Sequence, residues 1–205
     1  MSSKNSGEQN HHDQKAKISR DLREELIDAA LAILAEDGLE HLSLRKVAAR
    51  VGVSHAAPAH HFTGLPELLG CVCKVGFENL AKAMRERLDV ANDDPHSHLI
   101  AAGEGYVNFA RQNAGLISLM FNAGREKVEK SAFGGSGQET YSLLKQVSAP
   151  FEPVGAEPDS TETLIWSVVH GFAFLHIGGR FDNSGRSTAE PQIADILPRL
   201  KLRQG

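Results

Sequence analysis

The chain has 205 residues, and its 22 lysines and arginines against 26 aspartates and glutamates give a formal net charge of −4. Hydrophobic residues make up 41% and charged residues 23%, which suits one or two folded domains and excludes a disordered chain, a collagen and a disulfide-rich scaffold. No apolar run approaches the ~20 residues that span a bilayer, and the N-terminus lacks the apolar run of a signal peptide. The sequence therefore predicts a soluble cytoplasmic protein, and its acidic balance argues at first against nucleic acid as a partner.

Helical periodicity dominates the chain from Arg20 onward. Apolar residues recur at intervals of three and four, and no alternating run flanked by hairpin turn signals predicts a strand. The sequence thus predicts an all-α protein of about nine helices. The predicted helices are Arg20–Asp37, Leu44–Val51, His55–His61, Pro66–Leu88, Pro95–Gln112, Ala114–Phe121, Thr140–Val147, Thr161–Ile177 and Pro191–Leu202.

Three stretches of different character divide the chain. Residues 1–17 are polar and without periodicity, and we expect a disordered tail there. Residues 18–65 hold three helices, of which the last two are joined by a glycine-containing turn in a helix-turn-helix unit. Residues 66–205 hold the remaining helices. Within them, residues 124–137 predict a loop or a broken helix, and residues 150–158 a proline-rich linker.

The residues around the predicted turn have the properties that a tight helix crossing needs. Ser43 and Ser54 can cap the second and third helices. Ala48 is small enough for a close crossing, and Gly52 tolerates the left-handed conformation of a turn. These choices favour a compact helix-turn-helix unit independently of any comparison.

The stretch Ser43–Ser54, with its Ala-x-x-x-Gly-Val-Ser turn and with His61 and Phe62 downstream, resembles the DNA-binding domain of the TetR family of bacterial transcription regulators. The resemblance covers about residues 20–70. It implies that residues 18–65 are a DNA-binding domain, whose third helix enters the major groove while the second lies across the DNA backbone.

The resemblance and the chemistry of the side chains together select candidate DNA contacts. A guanidinium at Arg45 can bind a guanine edge or a phosphate with two hydrogen bonds. Lys46 and Arg50 can equally be a solvated helix face. The candidate set is Ser43, Arg45, Lys46, Ser54, His55, Ala56, Ala57, His60, His61 and Thr63.

Two positions depart from the family pattern. Ala59 and Leu65 stand where the family usually has an aromatic residue, commonly tyrosine, and a lysine, both of which contact phosphate. Their loss implies weaker binding with a flatter salt dependence. An alternative function is therefore a helical effector-binding or protein-interaction module whose helix-turn-helix unit has weak or lost DNA binding.

The charge of this segment differs from that of the whole chain. Residues 43–62 contain Arg45, Lys46, Arg50 and three histidines, and no acid. The sequence therefore predicts a small cationic face, whose DNA affinity rises as the histidines become protonated.

A second resemblance lies near the C-terminus. Trp166-x-x-x-His170-Gly171, preceded by Leu119–Phe121, resembles a ligand-binding and dimerisation domain of the same family. Trp166 and His170 share one helix face, and Gly171 permits another helix to approach closely. The resemblance implies that residues 66–205 bind an effector and form a homodimer.

The predicted effector site and dimer interface are both apolar. A hydrophobic cavity would be lined by Val75, Phe77, Tyr106, Phe109, Leu116, Met120, Phe121, His170 and Phe172, although sequence alone does not separate pocket from core residues. The dimer would pair Thr161–Ile177 and Pro191–Leu202 with their copies, through Trp166, Val169, Phe174, Ile193 and Leu197. The implied protein is a repressor that binds a palindromic double-stranded DNA operator as a dimer and leaves it when a small hydrophobic effector binds.

Enzymatic and metal-binding functions have little support in the sequence. It contains no glycine-rich phosphate loop and no GxSxG, HExxH or CxxC motif, so we expect no enzyme and no cofactor. Adjacent His60 and His61 point about 100° apart on a helix, and no cysteine or carboxylate completes a metal site. Cys71 and Cys73 are interpreted as buried structural thiols.

Overall fold

The computed structural model describes residues 5–122, 135–181 and 191–203, and these residues are almost entirely helical. Eight α-helices and three short 3-10 helices lie in these ranges. The α-helices are α1 (Asn5–Asp37), α2 (Leu44–Val51), α3 (Leu65–Leu88), α4 (Pro95–Gln112), α5 (Ala114–Asn122), α6 (Ser136–Ser148), α7 (Ser160–Ile177) and α8 (Ile193–Ile196). The 3-10 helices are Leu39–His41, Ala57–His60 and Leu197–Leu200. The prediction of an all-α protein with an N-terminal helix-turn-helix and a helical C-terminal domain is confirmed.

The described residues form two compact units, which divide between Val72 and Cys73 inside α3. The sequence placed a boundary at residues 65/66, at the start of this helix. The first turns of α3 belong with the N-terminal unit because they are bonded to it. Arg23 of α1 donates a hydrogen bond to Cys71, and Thr63 donates two to Glu67.

The first helix begins closer to the N-terminus than its apolar pattern predicts. The sequence assigned residues 1–17 to a disordered tail, whereas α1 begins at Asn5. Residues 8–17 contain no proline or glycine and are rich in residues that tolerate a helix, so the helix continues although it has no apolar face there. At its other end α1 stops at Gly38, which has a φ of 84°.

The core of the N-terminal unit lies between α1 and α2. The inward residues Leu26, Ile33 and Leu34 of α1 and Val47 and Ala48 of α2 are almost completely buried. Their three- and four-residue spacing is the reason that these segments fold as helices facing each other.

The third predicted helix is a 3-10 turn. The sequence predicted an α-helix over His55–His61 with Ser54 as its cap, but only Ala57–His60 is helical, and Ala56 occupies the cap position without a side-chain hydrogen bond. Pro58 explains the difference, because it disfavours the α conformation at the residue before it and has no N–H to donate. Its buried ring instead anchors the turn from which Phe62 enters the core.

The C-terminal unit is built around α4. This helix is capped by Asp94, whose side chain accepts a hydrogen bond from Ser97 N, and is packed closely against α3 and α7. Gly105 permits a close approach of α4 to α3, because a Cβ there would lie 2.7 Å from the backbone oxygen of Ala83 and from the Cα of Met84. Any side chain at Gly105 would therefore separate the two helices.

The last helix is shorter than the sequence predicted. The predicted helix Pro191–Leu202 is divided into α8 and a 3-10 turn over Leu197–Leu200, in which Pro198 is the second residue. The predicted loop over residues 124–137 lies for the most part outside the described residues, and α6 begins at Ser136. None of the helices in the described ranges is both long and apolar enough to cross a membrane.

Candidate functional site

The second helix presents Arg45 at its N-terminal end. Ser43 caps this helix as predicted, because its hydroxyl oxygen accepts a hydrogen bond from Lys46 N at 3.2 Å. The helix ends at Gly52, which has the left-handed conformation expected of it (φ 80°). Arg45 lies in the first turn and is exposed. Within the described residues no side chain pairs with its guanidinium, which is available for an external anion.

The other two cations of α2 are already paired. Lys46 Nζ lies 2.6 Å from Asp37 Oδ2, and both terminal nitrogens of Arg50 lie 2.6 Å from the carboxylate oxygens of Glu36. These two pairs reduce the positive charge of the predicted cationic face over residues 43–62. The segment contains no acid, but the end of α1 supplies one to each cation.

The two acids that pair with these cations, Glu36 and Asp37, are held in their charged form. The hydrogen bond from Arg50 lowers the pKa of Glu36, and the hydrogen bond from Lys46 lowers that of Asp37. A sequence signal for these pairs exists, because two acids in the last turn of a helix oppose its dipole unless cations lie beside them. These two pairs were not predicted from the sequence.

The turn and 3-10 segment expose most of the remaining candidates for DNA contact. The side chains of Ser54, His55, Ala56 and His60 are exposed, whereas Ala57 and His61 are half-buried. Ala59, where the family pattern has an aromatic residue, is also exposed and offers only a methyl group. The structure thus brings small and imidazole side chains together beside α2.

Thr63 uses its hydrogen-bond donors within the chain. Its backbone N–H and its hydroxyl donate to Glu67 Oε2 at 2.7 and 2.9 Å, and these bonds hold the pKa of Glu67 below its usual range. The predicted contact of this hydroxyl with phosphate would require the bond to Glu67 to break.

Arg23 was missed as a structural residue of this unit. Its guanidinium lies 5.0 Å from the centre of the Phe62 ring, donates a hydrogen bond to Cys71 Sγ at 3.0 Å, and lies 3.9 Å from Glu67 Oε1. It therefore links α1 to both ends of the segment that joins the 3-10 turn to α3. An arginine on an otherwise acidic stretch of helix one was the available signal.

Aromatic residues form a cluster in the C-terminal unit, and it contains several predicted effector residues. The Tyr106 hydroxyl and His170 Nδ1 share a hydrogen bond of 2.7 Å. Phe121 lies 4.8 Å from the His170 ring and 5.4 Å from that of Phe77, with Trp166 on its other side at 6.4 Å. Burial lowers the pKa of His170 and raises that of Tyr106, so both groups are neutral at pH 7.

The other predicted pocket residues are distributed differently. Leu116 and Met120 pack against Gly76, where a Cβ would lie within 3.1 Å and 2.6 Å of their side chains. Phe109 is buried and Val75 is half-buried. Phe172 lies apart from the cluster and contacts His176 and Phe181, at ring distances of 4.8 and 5.3 Å.

Three of the predicted dimer residues are buried within their own unit. Val169, Ile193 and Leu197 are less than 10% exposed and surround Gly103, where a Cβ would lie 3.6, 3.7 and 2.7 Å from their side chains. They pack on α4 of the same chain and offer a second chain no surface, which corrects the prediction. Helix α7 is apolar on nearly all sides, so its sequence did not distinguish these faces.

A different stripe of α7 remains uncovered. Leu164, Val168 and Gly171 are partly exposed and Leu175 is 46% exposed, and their spacing places them on one side of the helix. Trp166 is 43% exposed and Phe174 partly so. A Cβ at Gly171 would meet nothing within 4 Å, so no helix of the described ranges makes the predicted close approach there.

Metal and thiol chemistry gain no support from the described side chains. No group of three or more metal-ligating residues lies together among them. Cys71 and Cys73 are free and buried, and burial raises the pKa of Cys73 to about 12, which keeps it a thiol.

Two protein-family models match this chain, one in its N-terminal part and one in its C-terminal part. Residues 26–69 match the model of bacterial regulatory proteins of the tetR family, and residues 99–196 match a tetracyclin repressor-like C-terminal domain. The chain belongs to the TetR family of transcriptional regulators.

Individual relatives agree with this assignment. The chain is 29% identical over 93 residues to the HTH-type transcriptional regulator BetI of Yersinia pestis, an alignment that covers 45% of this chain and 47% of the relative. It thus spans about half the length of the curated relatives it matches. It is similar to a protein of unknown function from Rhodococcus sp. RHA1 (26% identity, TM-score 0.71, 87% of this chain and 91% of that one). It also shares the fold of a TetR family regulator from Marinobacter aquaeolei VT8 (14% identity, TM-score 0.63, 94% and 100%).

Proposed function

We propose that this chain is a cytoplasmic, homodimeric repressor that binds a palindromic DNA operator through its helix-turn-helix units and releases it when a small hydrophobic effector binds. The observation that carries the proposal is Arg45. An exposed guanidinium with no partner among the described residues stands in the first turn of α2, beside a capped helix N-terminus and the turn that the family places against DNA.

The uncovered stripe of α7 supports the homodimer. Apolar side chains in a row on one helix side are costly to leave in water, and a two-fold axis would pair each stripe with its copy. Trp166 and Leu175 are the exposed members of the proposed interface, and Phe174 is partly exposed.

The aromatic cluster around His170 supports an effector that is mainly apolar. Its rings offer apolar contact, and the Tyr106–His170 pair offers one polar group that can recognise a ligand atom. An effector that binds better to the state with separated DNA-binding units would release the operator by shifting the population.

A mobility-shift titration tests the proposal. DNA from the region around the protein's own gene should bind with sequence selectivity and salt sensitivity at about micromolar protein or below. Equal affinity for unrelated DNA, or no binding, would contradict it.

A second candidate function is an effector-binding or protein-interaction module with weak DNA binding. Lys46 and Arg50 are paired with acids, and Ala59 and Leu65 lack the phosphate donors of the family pattern. This candidate requires a purified protein that dimerises and binds small molecules but gives no selective shift.

A further inference from the structure

The hydrogen bond between Tyr106 and His170 can run in either direction. The Tyr106 hydroxyl and His170 Nδ1 lie 2.7 Å apart, and the donor depends on which nitrogen of the neutral imidazole carries the proton. If Nδ1 donates, the hydroxyl hydrogen of the buried Tyr106 needs another acceptor. If the hydroxyl donates, Nδ1 is the acceptor and the proton of the imidazole is on Nε2.

The neighbours of Tyr106 decide between the two directions. Burial raises the pKa of the Tyr106 hydroxyl, and a hydrogen bond from the indole N–H of Trp166 lowers it. An indole nitrogen is a donor only, so Trp166 cannot accept the hydroxyl hydrogen. His170 Nδ1 is the one acceptor that the described residues offer it, and a buried donor left unpaired is costly. The hydroxyl therefore donates to Nδ1, and His170 carries its proton on Nε2.

The Nε2–H of His170 is a donor that can bind a ligand. Nothing in the described ranges accepts a hydrogen bond from it, and the His170 side chain is partly exposed. The imidazole lies 4.8 Å from the Phe121 ring and 4.5 Å from the Phe174 ring, and both of these side chains are partly exposed as well. A molecule that binds here meets aromatic surface and one N–H group.

The surroundings of the pair favour a ligand without charge. Burial lowers the pKa of His170, and no charged side chain of the described part of the chain adds to the pKa shift of either His170 or Tyr106. An ion bound here would give up its hydration without gaining a counter-ion. Phe121 makes edge-to-face contacts with Phe77 and Trp166 as well as with the imidazole, and these contacts engage ring faces that a cation would need to find open.

From the direction of the bond, the free N–H and the absence of charge around the pair, we propose that this site recognises a neutral apolar molecule through one hydrogen-bond acceptor. A ketone or ester carbonyl is such an acceptor, and it takes the Nε2–H of His170. Tyr106 is a positioning residue, because its hydroxyl fixes the proton on Nε2. The role of the ligand as an effector rests on the proposed function, whereas the direction of the hydrogen bond does not.

Two-bond 1H–15N spectra of the histidine rings, recorded on the full chain at pH 8 without DNA, test that direction. The signals of His170 are assigned by their absence from His170→Gln, and they should show the proton on Nε2. His41 is the reference for the other tautomer, because its Nδ1 lies 2.7 Å from the backbone oxygen of Asp37, which can only accept. His41 should therefore show a larger share of Nδ1–H than His170.

Tyr106→Phe removes the hydroxyl and keeps the ring. The 15N shift of His170 Nδ1 should then move toward that of a free histidine, because the hydrogen bond that fixed the tautomer is lost. Unchanged signals in this variant would contradict the positioning role of Tyr106. A proton on Nδ1 of His170 in the unmodified chain would overturn the proposal.

Shape-matched molecules test the ligand class. The probes are cyclohexyl methyl ketone, isopropenylcyclohexane, in which a CH2 group replaces the carbonyl oxygen, cyclohexanecarboxylate and 1-cyclohexylethylammonium. The chain has one tryptophan, Trp166, so its indole N–H gives a single resonance that follows each titration. The ketone should bind about three- to tenfold more tightly than the alkene, since one neutral hydrogen bond distinguishes them. Both charged molecules should bind more weakly than the ketone.

A histidine variant connects this preference to the donor. His170→Phe keeps an aromatic ring and removes the N–H, so the ratio of ketone to alkene affinity should fall to about one. His98→Phe is the matched control, since His98 is a partly exposed histidine of α4 without a ring contact to the aromatic cluster, and it should keep the ratio of the unmodified chain. Equal affinity for ketone and alkene in the unmodified chain, tighter binding of either ion, or no binding at about 5 mM ketone would refute the assignment.

A mobility shift with and without the ketone separates the two proposals. Release of operator DNA by the ketone supports its class as that of the effector. A ketone that binds with the expected preference but leaves the DNA complex unchanged contradicts the effector role alone. Absence of any DNA complex contradicts the proposed function, and recognition through His170 then stands on the NMR results.

Discussion

Arg50 of α2 holds Glu36 of α1 with two parallel hydrogen bonds of 2.6 Å, across the crossing of the first two helices. With the neighbouring Lys46–Asp37 pair, this bond removes two cations from the charge that the helix-turn-helix unit presents. Each of these pairs is about half-exposed, so its effect on folding stability is small. The effect of these pairs on DNA binding is larger, because each cation keeps a bound carboxylate beside it that offsets its attraction for phosphate.

Arg45 should therefore matter more for DNA binding than Arg50. Arg45→Ala should cost roughly 1 to 3 kcal/mol of binding free energy on the operator. Arg50→Ala should cost clearly less, because its guanidinium is already bound to Glu36. Fluorescence anisotropy with labelled operator DNA measures both. Equal losses in the two variants would contradict the unequal roles proposed here.

Neutralising the acid should strengthen binding. Glu36→Gln leaves Arg50 without its carboxylate, so DNA affinity should rise and the slope of log K against log salt should become steeper by about one unit at most. Glu24→Gln is the control, since Glu24 is an exposed acid of α1 with no partner among the described residues. A similar gain in DNA affinity in both variants would show that the gain comes from the change in net charge and not from the release of Arg50 from Glu36.

The sequence predicts local features of this fold well and distant pairings poorly. The Ser43 cap and the left-handed conformation of Gly52 were both predicted. Each depends only on residues within four positions of it along the chain. The Glu36–Arg50 pair joins residues fourteen apart, across a turn whose geometry the periodicity does not contain. Similarly, α7 is apolar on nearly all sides, so only the packing of the folded chain shows that Val169 is buried against Gly103.

The Thr63–Glu67 bonds should make stability depend on pH in the acid range. The pKa of Glu67 is lowered in the folded chain, chiefly by the Thr63 backbone N–H, so the unfolded chain binds the proton first as pH falls. The stabilisation is complete above the unfolded pKa of about 4.5 and is lost as pH falls through the folded value.

Chemical denaturation of Glu67→Gln from pH 7 to 3 measures this effect. The variant should be less stable than the unmodified chain at pH 7, and the difference should shrink below about pH 4.5. Glu25→Gln, at an exposed position without a partner among the described residues, should show no such trend. A gap that stays constant with pH would mean that the carboxylate charge is not involved.

The crossing of α3 and α4 depends on Gly105. A Cβ in Gly105→Ala would lie 2.7 Å from backbone atoms of Ala83 and Met84, which cannot rotate away, so unfolding should become easier by about 1 to 3 kcal/mol. Gly137→Ala is the control, because its Cβ would meet the Phe77 ring at an ordinary 3.6 Å and helix propensity favours alanine. Thermal melts should therefore move in opposite directions, and equal shifts would contradict the close packing.

Leu175 tests the proposed dimer interface on α7. It is 46% exposed at one end of the uncovered stripe, and two-fold pairing would bring its copies or their neighbours together in a desolvated contact. Leu175→Glu would place charges in that contact and should weaken dimerisation by about 2 kcal/mol or more, roughly 30-fold in the dissociation constant. Sedimentation equilibrium over a range of protein concentrations measures it. Val90→Glu, at a position 77% exposed outside α7, controls for added surface charge and should dimerise normally. A Leu175→Glu chain that dimerises as tightly as the control would assign the interface to another surface.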